Sequence, residues 1–176
     1  MRLPLYRIAT VMLLLAAGGS VILGRSTADD LKLDITIVTG EHSRDSNSTS
    51  TSLTVAENKL IYEQTYDGFH SGRREPVKKE YKLTAEDRNL LIGLLRQRDM
   101  LVNKTVSQPS QEKGSSRYFE LEIHAMLNGK EGSISIDGAR NDVKLKDERI
   151  YQDSVYLTEQ LYKIINRTDP EMTRRS

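Results

Sequence analysis

The chain has 176 residues, with 26 Lys and Arg against 25 Asp and Glu, and no cysteine. A formal net charge of +1 excludes the basic footprint of a nucleic-acid binder and a polybasic membrane patch. The lack of cysteine excludes disulfide staples, thiol catalysis and cysteine-ligated zinc, so stability must come from an ordinary apolar core.

Arg2 and Arg7 lead into the apolar run Ile8 to Leu23, which closes on Ser26-Thr27-Ala28 just before Asp29-Asp30. A charged start, a short apolar centre and small residues at the first and third positions before a cut make residues 1–28 an export signal. The expected location is therefore periplasmic or extracellular. The competing reading is an uncleaved membrane anchor, because Ile8 to Gly24 falls just short of the roughly 20 residues that span a bilayer. Cleavage before Asp29 would leave 148 residues with 23 basic and 25 acidic side chains, enough for one self-standing domain over residues 29–168. The tail 169–176 is expected to fray. Asn47, Asn103 and Asn166 each open an Asn-x-Ser/Thr triplet, a glycan acceptor only if the exporting cell is eukaryotic; the cysteine-free composition fits a bacterial periplasm.

Leu31, Leu33, Ile35 and Ile37 alternate with polar residues, which predicts a strand from Leu31 to Thr39. The polar stretch Gly40 to Ser50 reads as a loop. Ser52 to Ala56 and Lys59 to Tyr66 form a predicted hairpin turning at Glu57-Asn58, with Asn58 supplying the left-handed conformation of the turn. Pairing Ala56 with Lys59 sets Val55 against Leu60 and Leu53 against Tyr62, which puts the apolar side chains on one side. Asp67 to Pro76 reads as a loop and Val77 to Leu83 as a charged edge strand.

Thr84 followed by Asp87 is a capping-box pattern opening a helix to about Asp99, with Leu90, Leu91, Leu94 and Leu95 as its buried stripe. Asn103 to Ser116 reads as a second long loop. Tyr118 to Leu127 and Lys130 to Asp137 flank Asn128-Gly129, the strongest short-range hairpin signal in a sequence. With Leu127 opposite Lys130, Ile123 meets Ile134 and Leu121 meets Ile136. A second helix is expected from about Lys146 to Ile165, striped by Ile150, Leu157, Leu161 and Ile164. Two hairpins each followed by a helix, with Asp67-Gly68 and Asp137-Gly138 as turn residues after them, suggest a degenerate duplication. The expected fold class is α+β: an antiparallel sheet of hairpins in two layers, with two helices packed on one face.

The candidate chemistry is sparse. His42, His70 and His124 are the only histidines, no His-Glu-x-x-His helix occurs, and neither a serine elbow nor a phosphate-binding glycine loop is present. No catalytic residue, metal ligand or cofactor site is therefore assigned. Tyr66, Phe69, His70, Arg73 and Arg74 form the candidate binding loop, because aromatic area and bidentate cations concentrate binding energy. Glu120, Glu122 and His124 form an alternative polar face on one strand, ordinary for a solvated antiparallel sheet. The layout of strands and a Thr84-capped leucine helix resembles small bacterial exported domains and small protease-inhibitor domains, with no residue that carries over. The expectation is a non-catalytic exported domain that binds a protein or envelope component. The alternatives are a small hydrolase using the His124 face and a membrane-anchored structural envelope protein.

Overall fold

The computed structural model describes residues 29–41, 47–68, 74–108, 117–139, 146 and 148–172. Its elements run β1 (Leu31–Glu41), β2 (Asn47–Ala56), β3 (Lys59–Gly68), β4 (Val77–Lys82), α1 (Ala85–Gln97), β5 (Asn103–Gln108), β6 (Arg117–Leu127), β7 (Lys130–Ala139) and α2 (Arg149–Thr168). The strands form one seven-stranded sheet in the order β4-β3-β2-β1-β6-β7-β5, which makes the fold α+β with a mostly antiparallel sheet.

Alternation decides which side of the sheet is dry. Leu33 and Ile35 of β1, Leu53 and Val55 of β2, Leu60 and Tyr62 of β3, Leu121 and Ile123 of β6, and Ile134 and Ile136 of β7 are all buried. Cross-strand pairing aligns them: Ile35 meets Leu53 on one side and Ile123 on the other, and Ile123 meets Ile134. Both hairpins therefore hold the expected register, with Val55 against Leu60 and Leu121 against Ile136. The Asn128-Gly129 turn has φ of 53° and 79°, the paired left-handed residues of a hairpin whose twist matches its strands. In the other hairpin the left-handed residue is Glu57, at φ 53°, and not the expected Asn58.

Helix α1 begins as its sequence dictates. The Thr84 hydroxyl accepts from the Asp87 N–H at 3.1 Å, and the Asp87 carboxylate accepts from the Thr84 N–H at 3.0 Å, which closes the capping box. The buried side of α1 is Asp87, Leu91, Ile92, Leu94 and Leu95. Leu90, expected in the stripe, is 43% exposed. The phase is turned by Asp87, whose carboxylate faces inward to receive two hydrogen bonds from Arg167 of α2, at 2.9 and 2.7 Å. Helix α2 buries Ile150, Leu157, Leu161 and Ile164 as expected, starts at Arg149 and continues to Thr168. Tyr62 and Tyr162 meet edge to face with centroids 6.5 Å apart, and Phe119 and Tyr151 do so at 5.9 Å. Beyond the helix, Asp169 binds Lys79 and Met172 is buried.

Several expectations give way. The sheet is mixed, because Asn103 to Gln108 is a strand and pairs in parallel with β7. The parallel direction leaves Gln108 of β5 and Arg117 of β6 at the same end of the sheet, with β7 between the two strands. Most of Gly40 to Ser50 also departs from the expected loop, since β1 reaches Glu41 and β2 begins at Asn47, with Gly40 opposite Ser48; residues 42–46 lie outside the described residues. Neither Asp-Gly pair is a turn. Asp67 and Gly68 pair with Ser48 and Asn47, and Asp137 and Gly138 with Glu120 and Phe119.

One end of the sheet is tied by the first described residues. Asn128 donates to the Asp29 carboxylate and accepts from the Asp30 N–H at 2.8 Å, while Arg88 reaches the Asp29 carbonyl at 2.6 Å and Arg96 its carboxylate at 3.0 Å. The Asn128 hydrogen bond, with the Arg96 and Arg88 charges, holds the Asp29 carboxyl below its ordinary range. Among the described residues, no helix is long and apolar enough to cross a membrane.

Candidate functional site

Strand direction makes the two ends of the sheet unlike. Ala56 to Lys59 and Leu127 to Lys130 close one end with two-residue turns, beside the Asp29 contacts. At the other end stand Glu41, Asn47, Gly68, Gln108, Arg117 and Ala139, from which the wider connections leave. Tyr66 lies at this second end of β3. Of the five residues of the candidate binding loop, Tyr66 and Arg74 are placed, while Phe69, His70 and Arg73 lie outside the described residues.

The two placed residues meet. The Arg74 guanidinium carbon stands 5.3 Å from the centroid of the Tyr66 ring, a cation–π contact that orients the guanidinium without consuming its hydrogen-bond donors. The Tyr66 hydroxyl donates to Gln64 Oε1 at 2.8 Å, and Gln64 Nε2 reaches Thr51 Oγ1 at 3.5 Å. Leu60, Tyr62, Gln64 and Tyr66 share the inward side of β3, so the polar chain continues the core row outward from the buried Tyr62. Burial pushes the Tyr62 hydroxyl up to about 12, and burial also raises Tyr162 against the Thr51 hydrogen bond. These phenols stay protonated at neutral pH and act as hydrogen-bond donors, not as bases.

A groove of about 210 Å³ opens beside this row, lined by Gln64, Tyr66, Val77, Lys79, Glu171 and Met172 together with Asp169. Val77 pairs with Gln64 and Lys79 with Tyr62, so both point to the same side of the sheet as the buried row of β3. Asp169 closes the groove by accepting from Lys79 at 2.5 Å and from the Tyr81 hydroxyl at 3.4 Å. The Lys79 hydrogen bond, against a smaller effect of desolvation, holds the Asp169 carboxyl below its usual value. Burial, followed by the Asp169 charge, raises Tyr81.

The alternative polar face is arranged differently. Glu120, Glu122 and His124 are all exposed on β6, opposite Val38, Thr36 and Asp34 of β1. His124 lines a shallow depression of about 380 Å³ with Lys32, Asp34, Asn103, Glu131 and Ser133, and neither Glu120 nor Glu122 lines it. Among the described residues, no three His, Asp or Glu side chains are grouped to hold a metal ion. A second depression at the start of α2 holds Arg98, Lys104 and Arg149 around the buried Asp153, where Arg98 is already paired with Asp153 and stacked 4.2 Å over Tyr156. Of the three Asn-x-Ser/Thr triplets, Asn47 opens β2, Asn103 accepts from the Ser133 N–H at 3.0 Å, and Asn166 lies within α2.

Gln64, Lys79, Val77, Asp169 and Met172 were absent from the residues expected at a site. One signal was present: Gln64 is a polar residue at a core-facing position of an otherwise apolar and aromatic row, and a buried polar group needs partners. No known protein family and no curated protein matches this chain.

Proposed function

We propose that the chain is an exported, non-catalytic domain that binds a protein or envelope component with the end of the sheet carrying Tyr66 and Arg74. The observation that carries this reading is the Arg74 guanidinium stacked over Tyr66, whose hydroxyl is tied back to Gln64. A cation held on an aromatic ring has already given up part of the side-chain freedom that binding would cost, and stacking does not itself consume its N–H donors. Export is supported by the leader pattern at residues 1–28. We also infer a two-layer arrangement with both helices on the apolar side of the sheet. The Tyr62–Tyr162 and Phe119–Tyr151 contacts and the exposure of Glu120, Glu122 and His124 support it. A hydrolase using His124 would need Glu120 or Glu122 at hydrogen-bond distance, whereas alternate residues of one strand stand roughly 7 Å apart.

The test is capture from the native culture with wild-type chain and with Arg74→Ala as baits. Arg74 is exposed, so its truncation should leave the melting temperature within a degree or two. Loss of a hot-spot contact costs at least ~2 kcal/mol, a drop of roughly thirtyfold in affinity for the captured partner. Equal capture by a folded Arg74→Ala chain would refute the assignment of this end.

A further inference from the structure

We infer that the outer edge of β5 pairs with β5 of a second copy of this chain, antiparallel and centred on Thr105, so that two seven-stranded sheets join into one. The inference concerns the edge opposite β4 and stands apart from the binding reading above. β5 closes one edge of the sheet, and among the described residues no strand lies beyond it. Its register on β7 decides which backbone groups are left over. Asn103 pairs with Ser133 in parallel, and the Ser133 N–H donates to the Val102 carbonyl at 2.9 Å. In a parallel ladder bonded in this way Val102, Lys104 and Val106 turn their backbone groups to β7, while Asn103, Thr105 and Ser107 turn theirs to the outer edge. Such a row of donors and acceptors is a template for another strand.

The two edges of the sheet differ in their protection. β4 carries Lys78, Lys79, Glu80 and Lys82 within 6 residues, whereas β5 carries Lys104 alone within 6. Charges on an edge strand oppose pairing with another strand, so β4 is guarded and β5 is not. β5 is also firmly seated. Backbone atoms of Val102 and Leu101 lie 2.5 and 2.6 Å from where a Cβ on Gly132 would stand, the Ser133 N–H also reaches Asn103 Oδ1 at 3.0 Å, and Val106 packs against the core. A strand already held in extended form loses little freedom when another strand adds to it.

The residues of β5 suit a second copy of the same strand. Only residues that face the outer edge can exchange both backbone bonds across it, so Asn103, Thr105 and Ser107 must oppose one another. Centring on Thr105 engages all of them, with Thr105 opposite Thr105 and Asn103 opposite Ser107 of the second copy. The same register sets Lys104 across from Val106 of the second copy. Centring on Lys104 would engage only Asn103 and Thr105 and would set the two Lys104 side chains against each other, a like-charge pair that destabilises a sheet. Centring on Val106 would engage only Thr105 and Ser107. The contact is a strand edge and not a broad face, which places it among weak, concentration-dependent interfaces.

Because the chain has no cysteine, a single introduced thiol reports on one position. Opposed Cα atoms of a hydrogen-bonded antiparallel pair stand about 5.5 Å apart, within disulfide reach. Under mild oxidation the full-length Thr105→Cys chain should cross-link to itself several-fold more than Glu122→Cys, whose thiol would sit at an exposed position on the interior strand β6. Sedimentation of the full chain should show mass rising with concentration. Thr105→Lys and Thr105→Glu should each weaken that association by roughly fivefold, and their equimolar mixture should restore it, since like charges face each other in the separate variants and opposite charges in the mixture. Association through residues 1–28 would respond to none of these changes, and melting curves show that each variant is folded. Cross-linking of Thr105→Cys no greater than that of Glu122→Cys, or a mixture no tighter than either charged variant alone, would overturn the proposal. Absence of self-association, with Thr105→Lys losing capture of another protein, would equally overturn it, in favour of an extended segment of that protein as the occupant of the edge.

Discussion

Replacing Asp87 by Ala should be among the more damaging single changes to a polar residue of this protein, and the structure says how much. The residue is 4% exposed and its side chain serves two elements: it closes the capping box with Thr84, and it receives two hydrogen bonds from Arg167. Loss of a cap costs about 1 kcal/mol. The Arg167 bonds are charge-assisted, but the Arg167 side chain is 59% exposed, so water and salt reduce their contribution to roughly 0.5–1 kcal/mol. Asp87→Ala should therefore lower unfolding stability by about 1.5–2 kcal/mol near neutral pH, and Arg167→Ala by less, since the cap survives. The pH dependence has a definite sign. Burial pushes the Asp87 carboxyl up, but the hydrogen bonds from Arg167 and Thr84 and the Arg167 charge outweigh it and hold the carboxyl below its ordinary value. A depressed carboxyl contributes stability that is present above the unfolded carboxylate pKa, about 3.9, and is lost as pH falls through the folded value. Urea titrations of wild type and Asp87→Ala at a series of pH values should show curves several-tenths of a molar apart at neutral pH that converge below about pH 4. A difference under 0.3 kcal/mol at neutral pH, or one unchanged at pH 3, would refute the role assigned to this carboxylate.

Two leucines of α1 should separate cleanly: Leu94→Ala should cost ~2–5 kcal/mol and Leu90→Ala, 43% exposed, within about 0.5 kcal/mol, both read from urea midpoints. Ile123→Ala, at the fully buried centre of the sheet, should fall in the same range as Leu94→Ala. Gly132→Ala would place a methyl 2.5 Å from the Val102 nitrogen and 2.6 Å from Leu101 backbone atoms, so overpacking of about 1–3 kcal/mol is expected, whereas Gly93→Ala meets nothing within 4 Å in a helix and should stabilise by ~0.5–1 kcal/mol. Mass spectrometry of the exported protein should find Asp29 at its amino terminus, and an intact Met1 in the membrane fraction would contradict processing at Ala28.

Local signals account for most of what was readable before the fold was in hand. Asn128-Gly129 and the alternation of Leu121, Ile123, Ile134 and Ile136 specify a register together, because a slip of one residue would turn that whole row to water. Thr84 and Asp87 mark a helix start for the same reason, being neighbours whose bonds are satisfied within one turn. What escaped depends on distant partners. Asn103 to Gln108 has a single strongly apolar residue, Val106, and becomes a strand only because β7 offers it a backbone edge. Leu90 is turned outward by Asp87, whose inward position is stabilised by an arginine 80 residues away. Tyr66 and Arg74 could be suspected from composition, but the groove beside them is completed by Asp169 and Met172, at the far end of the chain in a segment with no local pattern.

The arrangement of the sheet also separates what holds this domain from what it presents. At one end, two-residue turns and the Asp29 contacts fix register with bonds between residues as far apart as 99 positions, so changes there should be felt throughout the sheet. At the other end, Arg74 is exposed, and among the described residues it is linked to the core through a relay of Tyr66, Gln64 and Thr51. Each step of that relay is a single hydrogen bond or ring contact, worth about 0.5–1.5 kcal/mol net, against several kcal/mol for a buried leucine. A perturbation at Arg74 is therefore attenuated before it reaches Tyr62. Side chains at this end can be exchanged to suit a ligand at little cost to folding, and the core residues that would make such exchanges costly lie one turn of alternation further in.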